Sequence, residues 1–330
     1  MGVTLGAMTT ADRLREVASR HRADKWGFDG TDFRRRARLR AALWREEHGW
    51  PMGVNVDDTP LGSRLAMPEA QAAGWNFLTP RIAELAAAYA DGRLAEPRAK
   101  IDATRMHSDL LSSQPMCFNL FGELALDLKA ATRFARRLWP GRVDRVVDVR
   151  FEHSPGRWSP AFLDNGSAFD VFLVHTTPAG GSGFVAIEVK YHENMRDKLP
   201  AQLRLRYREL ALESGAFADP QASSLWSRGV WQLWLDHLLA WSLRRHPGSA
   251  YDTGISVLLH PAGNAEVAGV ARAYSDHLVA SERSGAVPFQ RLTLEACVDA
   301  LQNVLNADWV PRFRSRYLDF SPVDRAVAGA

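Results

Sequence analysis

Three charged residues stand within two apolar runs near the middle of the chain. Asp170 begins the run Asp-Val-Phe-Leu-Val-His, and Glu188 and Lys190 end the run Phe-Val-Ala-Ile-Glu-Val-Lys. Charged side chains are costly to bury unless they are paired or bind a metal ion. Two carboxylates suit a hard, oxygen-seeking cation such as Mg²⁺, and a neighbouring lysine can hold a water or a phosphate oxygen beside it. The spacing therefore predicts metal-assisted chemistry.

The two apolar runs are joined by the segment Thr-Thr-Pro-Ala-Gly-Gly-Ser-Gly, which is typical of a tight turn. We therefore predict a β-hairpin whose turn is centred near Ala179. In that register Asp170 and Glu188 face each other, with Cβ atoms about 4.5–5.5 Å apart. Glu188 and Lys190 share a face because strand side chains alternate with period two. A bulge of one residue would break this geometry.

Further elements are predicted on both sides of the hairpin. Alternating β-branched residues indicate a strand over 143–151, and an apolar stripe indicates a long helix from Ser112 to about Trp139. Together they predict an α/β fold, with a mixed sheet of about four to five strands and helices on both faces. The remaining predicted elements are helices at 198–213 and 225–245, a strand at 255–259, a helix at 264–281, a strand at 289–293 and a helix at 294–305.

The first third of the chain is expected to be mainly helical. Its pattern predicts helices over 11–23 and 32–48, an irregular segment over 49–79, and a helix from Thr79-Pro80 to Asp91-Gly92. No repeat, low-complexity tract or linker separates it from the rest. We therefore predict a helical region, 1–110, packed on a core, 111–330.

Composition excludes several classes of protein. The 330 residues are 46% apolar, enough for a large core, but no run of about 18 apolar residues could span a membrane. We expect no signal peptide, because the first ten residues lack a basic start and a long apolar stretch, and the chain contains no Walker-type GxxxxGK(S/T) loop. Cys117 and Cys297 fit neither a zinc site nor a disulfide framework. A cytoplasmic protein is expected.

The net charge is only +3, yet arginines cluster within 34–40, 133–145, 204–208 and 312–316. These clusters could contact nucleic-acid phosphates, or they could be solvated helix faces paired with nearby acids. The sequence leaves both interpretations open.

Other residues are candidates for the same site. Glu123 lies on the long predicted helix in a polar row with Asn119 and Asp127, spaced by four residues. The backbone carbonyl of Val189 is a third candidate metal ligand beside the two carboxylates. Accessory candidates are Gln232 on a later predicted helix, and His192 and Glu193 directly after Lys190.

Taken together, these motifs resemble the PD-(D/E)xK nuclease superfamily, and within it a bacterial restriction-endonuclease-like subfamily. The resemblance is carried by Asp170, Glu188-Val-Lys-Tyr-His-Glu193, Cys117-Phe-Asn-Leu-Phe-Gly-Glu-Leu124 and Gly74-Trp-Asn-Phe77. It implies an αβββαβ core and an active site of Glu123, Asp170, Glu188 and Lys190. The chain departs from the pattern at Phe169, where a proline often precedes the aspartate.

The resemblance implies a Mg²⁺-dependent DNA endonuclease, with Mn²⁺ as a substitute, acting in restriction or defence. Double-stranded DNA is the expected partner, and a homodimer would allow both strands to be cut. One alternative is a nucleic-acid-binding module with the same fold but no hydrolysis, and another is an unrelated α/β enzyme with a structural Asp–Lys pair. DNA versus RNA, recognition sequence and mode of cutting stay open.

Overall fold

The computed structural model describes residues 8–23, 31–193, 195, 198–199, 201–279 and 287–330. A five-stranded sheet lies at the centre of the fold, and it is formed by β3 to β7 in chain order. A separate two-stranded hairpin, β1 and β2, belongs to the N-terminal third. The strands are β1 (Met52–Val54), β2 (Pro60–Leu65), β3 (Arg145–His153), β4 (Phe169–Thr176), β5 (Ser182–Val189), β6 (Thr253–His260) and β7 (Phe289–Thr293).

Helices surround the sheet and form most of the N-terminal and C-terminal regions. A short 3₁₀ turn, Ser223–Trp226, precedes the longest helix on one face. The α-helices are α1 (Thr10–Arg20), α2 (Asp32–Glu47), α3 (Glu69–Ala73), α4 (Pro80–Ala90), α5 (Ala103–Ser108), α6 (Ser113–Leu126), α7 (Leu128–Leu138), α8 (Leu205–Ser214), α9 (Val230–Arg245), α10 (Ala265–Ser275), α11 (Leu294–Val304), α12 (Trp309–Tyr317) and α13 (Ser321–Ala328).

The central sheet is mixed. Strands β3, β4 and β5 are antiparallel neighbours, whereas β5, β6 and β7 run parallel. Parallel neighbours need long crossover connections, and these contain α8 and α9 between β5 and β6, and α10 between β6 and β7. The predicted mixed sheet with helices on both faces is confirmed.

Each face of the sheet packs against its own set of helices. On the first face, Val171, Ile187 and Val189 join a core that includes residues of α6, α7, α11 and α12. On the second face, Phe172 and Phe184 join a core built with α8, α9 and α10. Alternation along β4 and β5 therefore decides which helices each side chain meets.

The N-terminal third is not separate from the sheet core. Trp44, Phe77 and Ile82 belong to the same apolar cluster as the first face of the sheet. The C-terminal helix also packs back onto the beginning of the chain, since Val323 of α13 lies in one small core with residues of α1 and α2. A boundary at residue 110 stays a prediction.

Several expectations about local structure were wrong or incomplete. The helix predicted over 198–213 begins only at Leu205. The single long helix is interrupted at Asp127, whose carboxylate accepts hydrogen bonds from the Lys129 and Ala130 amides and so begins α7 as an N-cap. The segment 49–79 contains the β1–β2 hairpin and α3 rather than irregular chain alone. Helices α12 and α13, after residue 305, were not predicted. Among the described residues, no helix is long and apolar enough to cross a bilayer.

Candidate active site

The β4–β5 hairpin has the expected register. Its pairs run from Thr176–Ser182 to Val171–Ile187, so the next positions to pair are Asp170 and Glu188. The amide of Val189 donates a hydrogen bond to Asp170 Oδ2 at 2.8 Å, which fixes that carboxylate against β5. Both carboxylates stand at the end of the second face, beyond the apolar pairs of the hairpin.

Lys190 lies in direct contact with this pair. Its Nζ is 2.6 Å from Glu188 Oε1, and each of these two side chains is 11% exposed. Burial alone would lower the pKa of Lys190, but the carboxylates of Glu188, Glu193 and Asp170 raise it above its usual value. Lys190 is therefore a cation at neutral pH, and its chemistry here is to stabilise negative charge.

Two acidic residues that were not predicted line the same cavity. Glu152 is the penultimate residue of β3, and the pairs Phe151–Val171 and His153–Phe169 place it opposite Asp170. Asp236 comes from α9, and its Oδ2 is buried without a hydrogen-bond partner in the described structure. Asp170, Glu188 and Asp236 thus share the ammonium of Lys190, whereas Glu152 pairs with Arg157 Nη2 at 3.2 Å.

This crowding disfavours full ionisation. Burial raises the pKa of Asp170 well above its usual value, and the Glu188 carboxylate raises it further against the opposing effect of Lys190. Burial and the Glu188 carboxylate also raise the pKa of Asp236. The pKa of Glu152 is raised by burial, which outweighs the nearby Arg157 guanidinium. A divalent cation would relieve this repulsion.

Helix α9 closes the site over the second face. Gln232 Nε2 donates to Glu188 Oε1 at 2.8 Å, so the accessory residue expected from the sequence lies at the predicted carboxylate. Asp236 follows Gln232 by one helical turn, and both side chains line the cavity. The four-residue spacing was the signal from which Asp236 could have been found, and strand alternation was the signal for Glu152.

The donor set agrees with a hard divalent cation. Carboxylate oxygens are what Mg²⁺ binds, and it commonly takes only one or two protein carboxylates while keeping several waters. Asp170 and Glu188 supply two such groups, and the unpartnered Asp236 Oδ2 is a further buried oxygen nearby. Within the described ranges, no three His, Cys, Asp or Glu side chains form a ready metal-binding cluster.

The cavity that contains these groups has a volume of about 550 Å³. Its lining includes Trp158 and Gly166 of the loop between β3 and β4, Tyr207 of α8 and Trp231 of α9. Lys100 completes the wall beside the β3–β4 loop. The acidic floor is therefore bordered by aromatic and cationic side chains.

The structure does not bring Glu123 to this cavity. Helix α6 covers the first face of the sheet, whereas Asp170 and Glu188 lie on the second. Glu123 instead accepts hydrogen bonds from the Thr79 hydroxyl at 2.5 Å and from Arg81 Nη1 at 2.9 Å. Because Thr79 is the N-cap of α4, Glu123 fixes the start of that helix.

The remaining predicted residues lie close to Lys190 but outside the cavity lining. Burial lowers the pKa of His192. Glu193 Oε2 accepts the Tyr191 amide at 2.6 Å, and its charge acts on Lys190. Val189 packs its side chain into the first-face core between Glu188 and Lys190.

Comparison with known proteins identifies the family of this chain. The family model described as the PD-(D/E)XK nuclease superfamily matches residues 28–319, which is most of the chain. No curated protein and no solved structure matches significantly.

Proposed function

Because the chain belongs to the PD-(D/E)XK nuclease superfamily, we propose that it is a divalent-metal-dependent DNA endonuclease whose active site contains Asp170, Glu188 and Lys190. Nucleases of this superfamily generally use divalent metals. Mg²⁺, with Mn²⁺ as a substitute, is the proposed cofactor.

One observation carries the proposal. Asp170 and Glu188 occupy opposed positions on neighbouring strands, and Lys190 joins them on the same face, beside a cavity of about 550 Å³. Four partly or fully buried carboxyl groups in one cavity, three of them sharing the ammonium of Lys190, are unfavourable for stability alone. Such a cluster is expected where function requires it, because perturbed pKa values concentrate at functional sites.

Each residue has a proposed role. A cation held by Asp170 and Glu188, with the Val189 carbonyl as a further candidate ligand, would polarise the scissile phosphate and lower the pKa of an attacking water. Lys190, protonated at neutral pH, stabilises the negative charge that develops on the phosphate. Gln232 keeps Glu188 in position through its 2.8 Å hydrogen bond.

The finer predictions are a role in restriction or defence, double-stranded DNA as substrate, and a homodimer. The proposed chemistry requires none of them.

The test is cleavage of plasmid DNA and of single-stranded DNA under Mg²⁺ and under Mn²⁺. Lys190→Met and Asp170→Asn should each lower the rate at least about 10³-fold while circular dichroism stays unchanged. Glu123→Gln is the matched control, since it alters a glutamate on the other face, and it should retain cleavage. Wild-type activity in Lys190→Met would overturn the assignment. A wild-type protein that binds DNA without cutting it would instead support the non-catalytic module.

A further inference from the structure

The mouth of the cavity carries an unusually exposed aromatic side chain. Trp158 is 51% exposed, which makes it the most exposed of the described tryptophans. It lies in the loop between β3 and β4, and it lines the cavity that contains Asp170 and Glu188. A large apolar ring left in solvent beside an acidic site is a candidate contact for a ligand.

The loop holds Trp158 in place. Arg157 Nε donates to the Arg98 carbonyl at 2.9 Å, and Arg157 Nη2 donates to the Glu152 carbonyl at 2.7 Å. The Trp158 amide donates to the Asn165 carbonyl at 2.8 Å. These bonds tie the loop to β3 and close it on itself, so the ring stands at a defined position.

Backbone strain is concentrated around the same loop. Trp158 has φ of +58°, a value that bulky residues rarely adopt. Of seven non-glycine residues with positive φ in the described part of the chain, four lie in this loop or against it, namely Arg98, Glu152, Trp158 and Asp164. Such strain persists where surrounding contacts over-determine it, and it clusters at ligand sites.

A cation lies beside the indole ring. A methyl group on Gly166 would lie 3.0 Å from Lys100 Nζ and 3.1 Å from Trp158 Cζ2, so both side chains close over this glycine. Lys100 also lowers the pKa of Glu152, which places its ammonium near the acidic floor. The aromatic face can stack on a nucleic-acid base, and the ammonium beside it can contact the phosphate next to that base.

The volume of the cavity indicates the size of the ligand unit that it can hold. A volume of about 550 Å³ is that of a small-ligand pocket. Asn165 Nδ2 donates to the Tyr207 hydroxyl at 3.0 Å, which links the loop to α8 across the cavity wall. The volume matches one nucleotide at the cleavage site.

We propose, resting on the function proposed above, that Trp158 stacks on a base next to the scissile phosphate while Lys100 contacts a neighbouring phosphate. The substrate class is therefore a polynucleotide whose bases are unstacked at the cleavage site, which means single-stranded nucleic acid or a locally opened duplex. Intact duplex would first have to release a nucleotide from its stack, at a cost of a few kcal/mol.

The experiment measures binding by fluorescence anisotropy in a Lys190→Met background, so that cleavage does not interfere. The probes are labelled single-stranded DNA, single-stranded RNA and duplex DNA of one sequence. A second series carries an abasic site at each position of the single strand in turn. Trp158→Leu removes the aromatic face, and Trp158→Phe retains it.

We expect the single strand to bind more tightly than the duplex, and one abasic position to weaken binding about 5- to 100-fold. Trp158→Leu should weaken binding by a similar factor and abolish the effect of that abasic position, whereas Trp158→Phe should preserve it. The DNA and RNA arms show which sugar is accepted.

Equal affinity of Trp158→Leu and the Trp158 protein, or tighter binding of intact duplex, would overturn this inference. The two proposals can fail separately. If the protein with Lys190 intact cleaves none of the three probes but one abasic position still weakens binding, the proposed nuclease function fails while the proposed base contact stands. Absence of binding to all three probes would overturn both.

Discussion

Glu123 and Glu188 are similarly buried glutamates on opposite faces of one sheet, with 13% and 11% of their side chains exposed. Glu123 accepts hydrogen bonds from a hydroxyl and a guanidinium and faces a helix N-terminus. Glu188 shares one lysine with Asp170 and Asp236, and Asp236 has an oxygen without a partner. The same residue type at the same depth thus stabilises a helix on one face and, as proposed, serves catalysis on the other.

The two buried asparagine side chains on the first face, Asn76 and Asn119, are hydrogen-bonded in the way a structural core requires. Asn119 Oδ1 accepts the Leu78 amide at 2.9 Å, and its Nδ2 donates to the Asn76 carbonyl and the Tyr317 hydroxyl. Asn76 Nδ2 in turn donates to the Met106 carbonyl at 2.7 Å. The motif residues Asn76 and Asn119 therefore connect the N-terminal region, α6 and α12.

The largest expected effect is the loss of DNA cleavage when Glu188 is changed, and it should not occur when Glu123 is changed. Glu188→Gln should lower the rate of DNA cleavage about 10³-fold or more, because it removes a charge from the proposed metal site. Glu123→Gln should change the rate by less than about threefold but lower the free energy of unfolding by roughly 1–3 kcal/mol. Cleavage rates and urea denaturation of both variants test this. Equal loss of activity in the two variants would remove the distinction between the faces.

The second prediction concerns the network on the first face. Asn119→Ala should lower the free energy of unfolding by about 3 kcal/mol, since it leaves buried partners unsatisfied. Cleavage per folded molecule should be unchanged because the site lies on the other face. The measurement combines urea denaturation with a rate normalised to folded protein. A stable variant that has lost its activity would assign this network to catalysis.

The third and smallest effect concerns Asp236 and pH. Burial and the Glu188 carboxylate raise the pKa of Asp236 in the folded protein. The folded state then retains a proton that the unfolded state has released, so this residue lowers stability as pH rises from about 4 through the raised pKa. Asp236→Asn should therefore be more stable than the wild type by about 1 kcal/mol at pH 8 without metal, and equally stable at pH 3.5.

Chemical denaturation of both proteins in the presence of a chelator gives this difference at each pH. A difference that does not grow with pH would show that Asp236 is not held against the other carboxylates.

Sequence reasoning predicted the hairpin well, since alternation and a glycine-rich turn together determine a register. It could not place Glu123, because a row at positions i and i+4 defines a side of a helix but not the face of the sheet that the helix covers. Asp127 was included in the same row although its side chain caps the next helix. Trp158 gave no periodic signal, because its position depends on loop contacts, namely its own amide bond to the Asn165 carbonyl and the bond of the neighbouring Arg157 to the Arg98 carbonyl.

The central claim is that the carboxyl cluster on the second face binds a divalent cation. Calorimetric titration of Mn²⁺ into the wild type, Asp170→Asn and Glu123→Gln tests it most directly. We expect the wild type and Glu123→Gln to bind Mn²⁺ alike and Asp170→Asn to lose this binding. Unchanged binding in Asp170→Asn, or loss of binding in Glu123→Gln alone, would contradict the account.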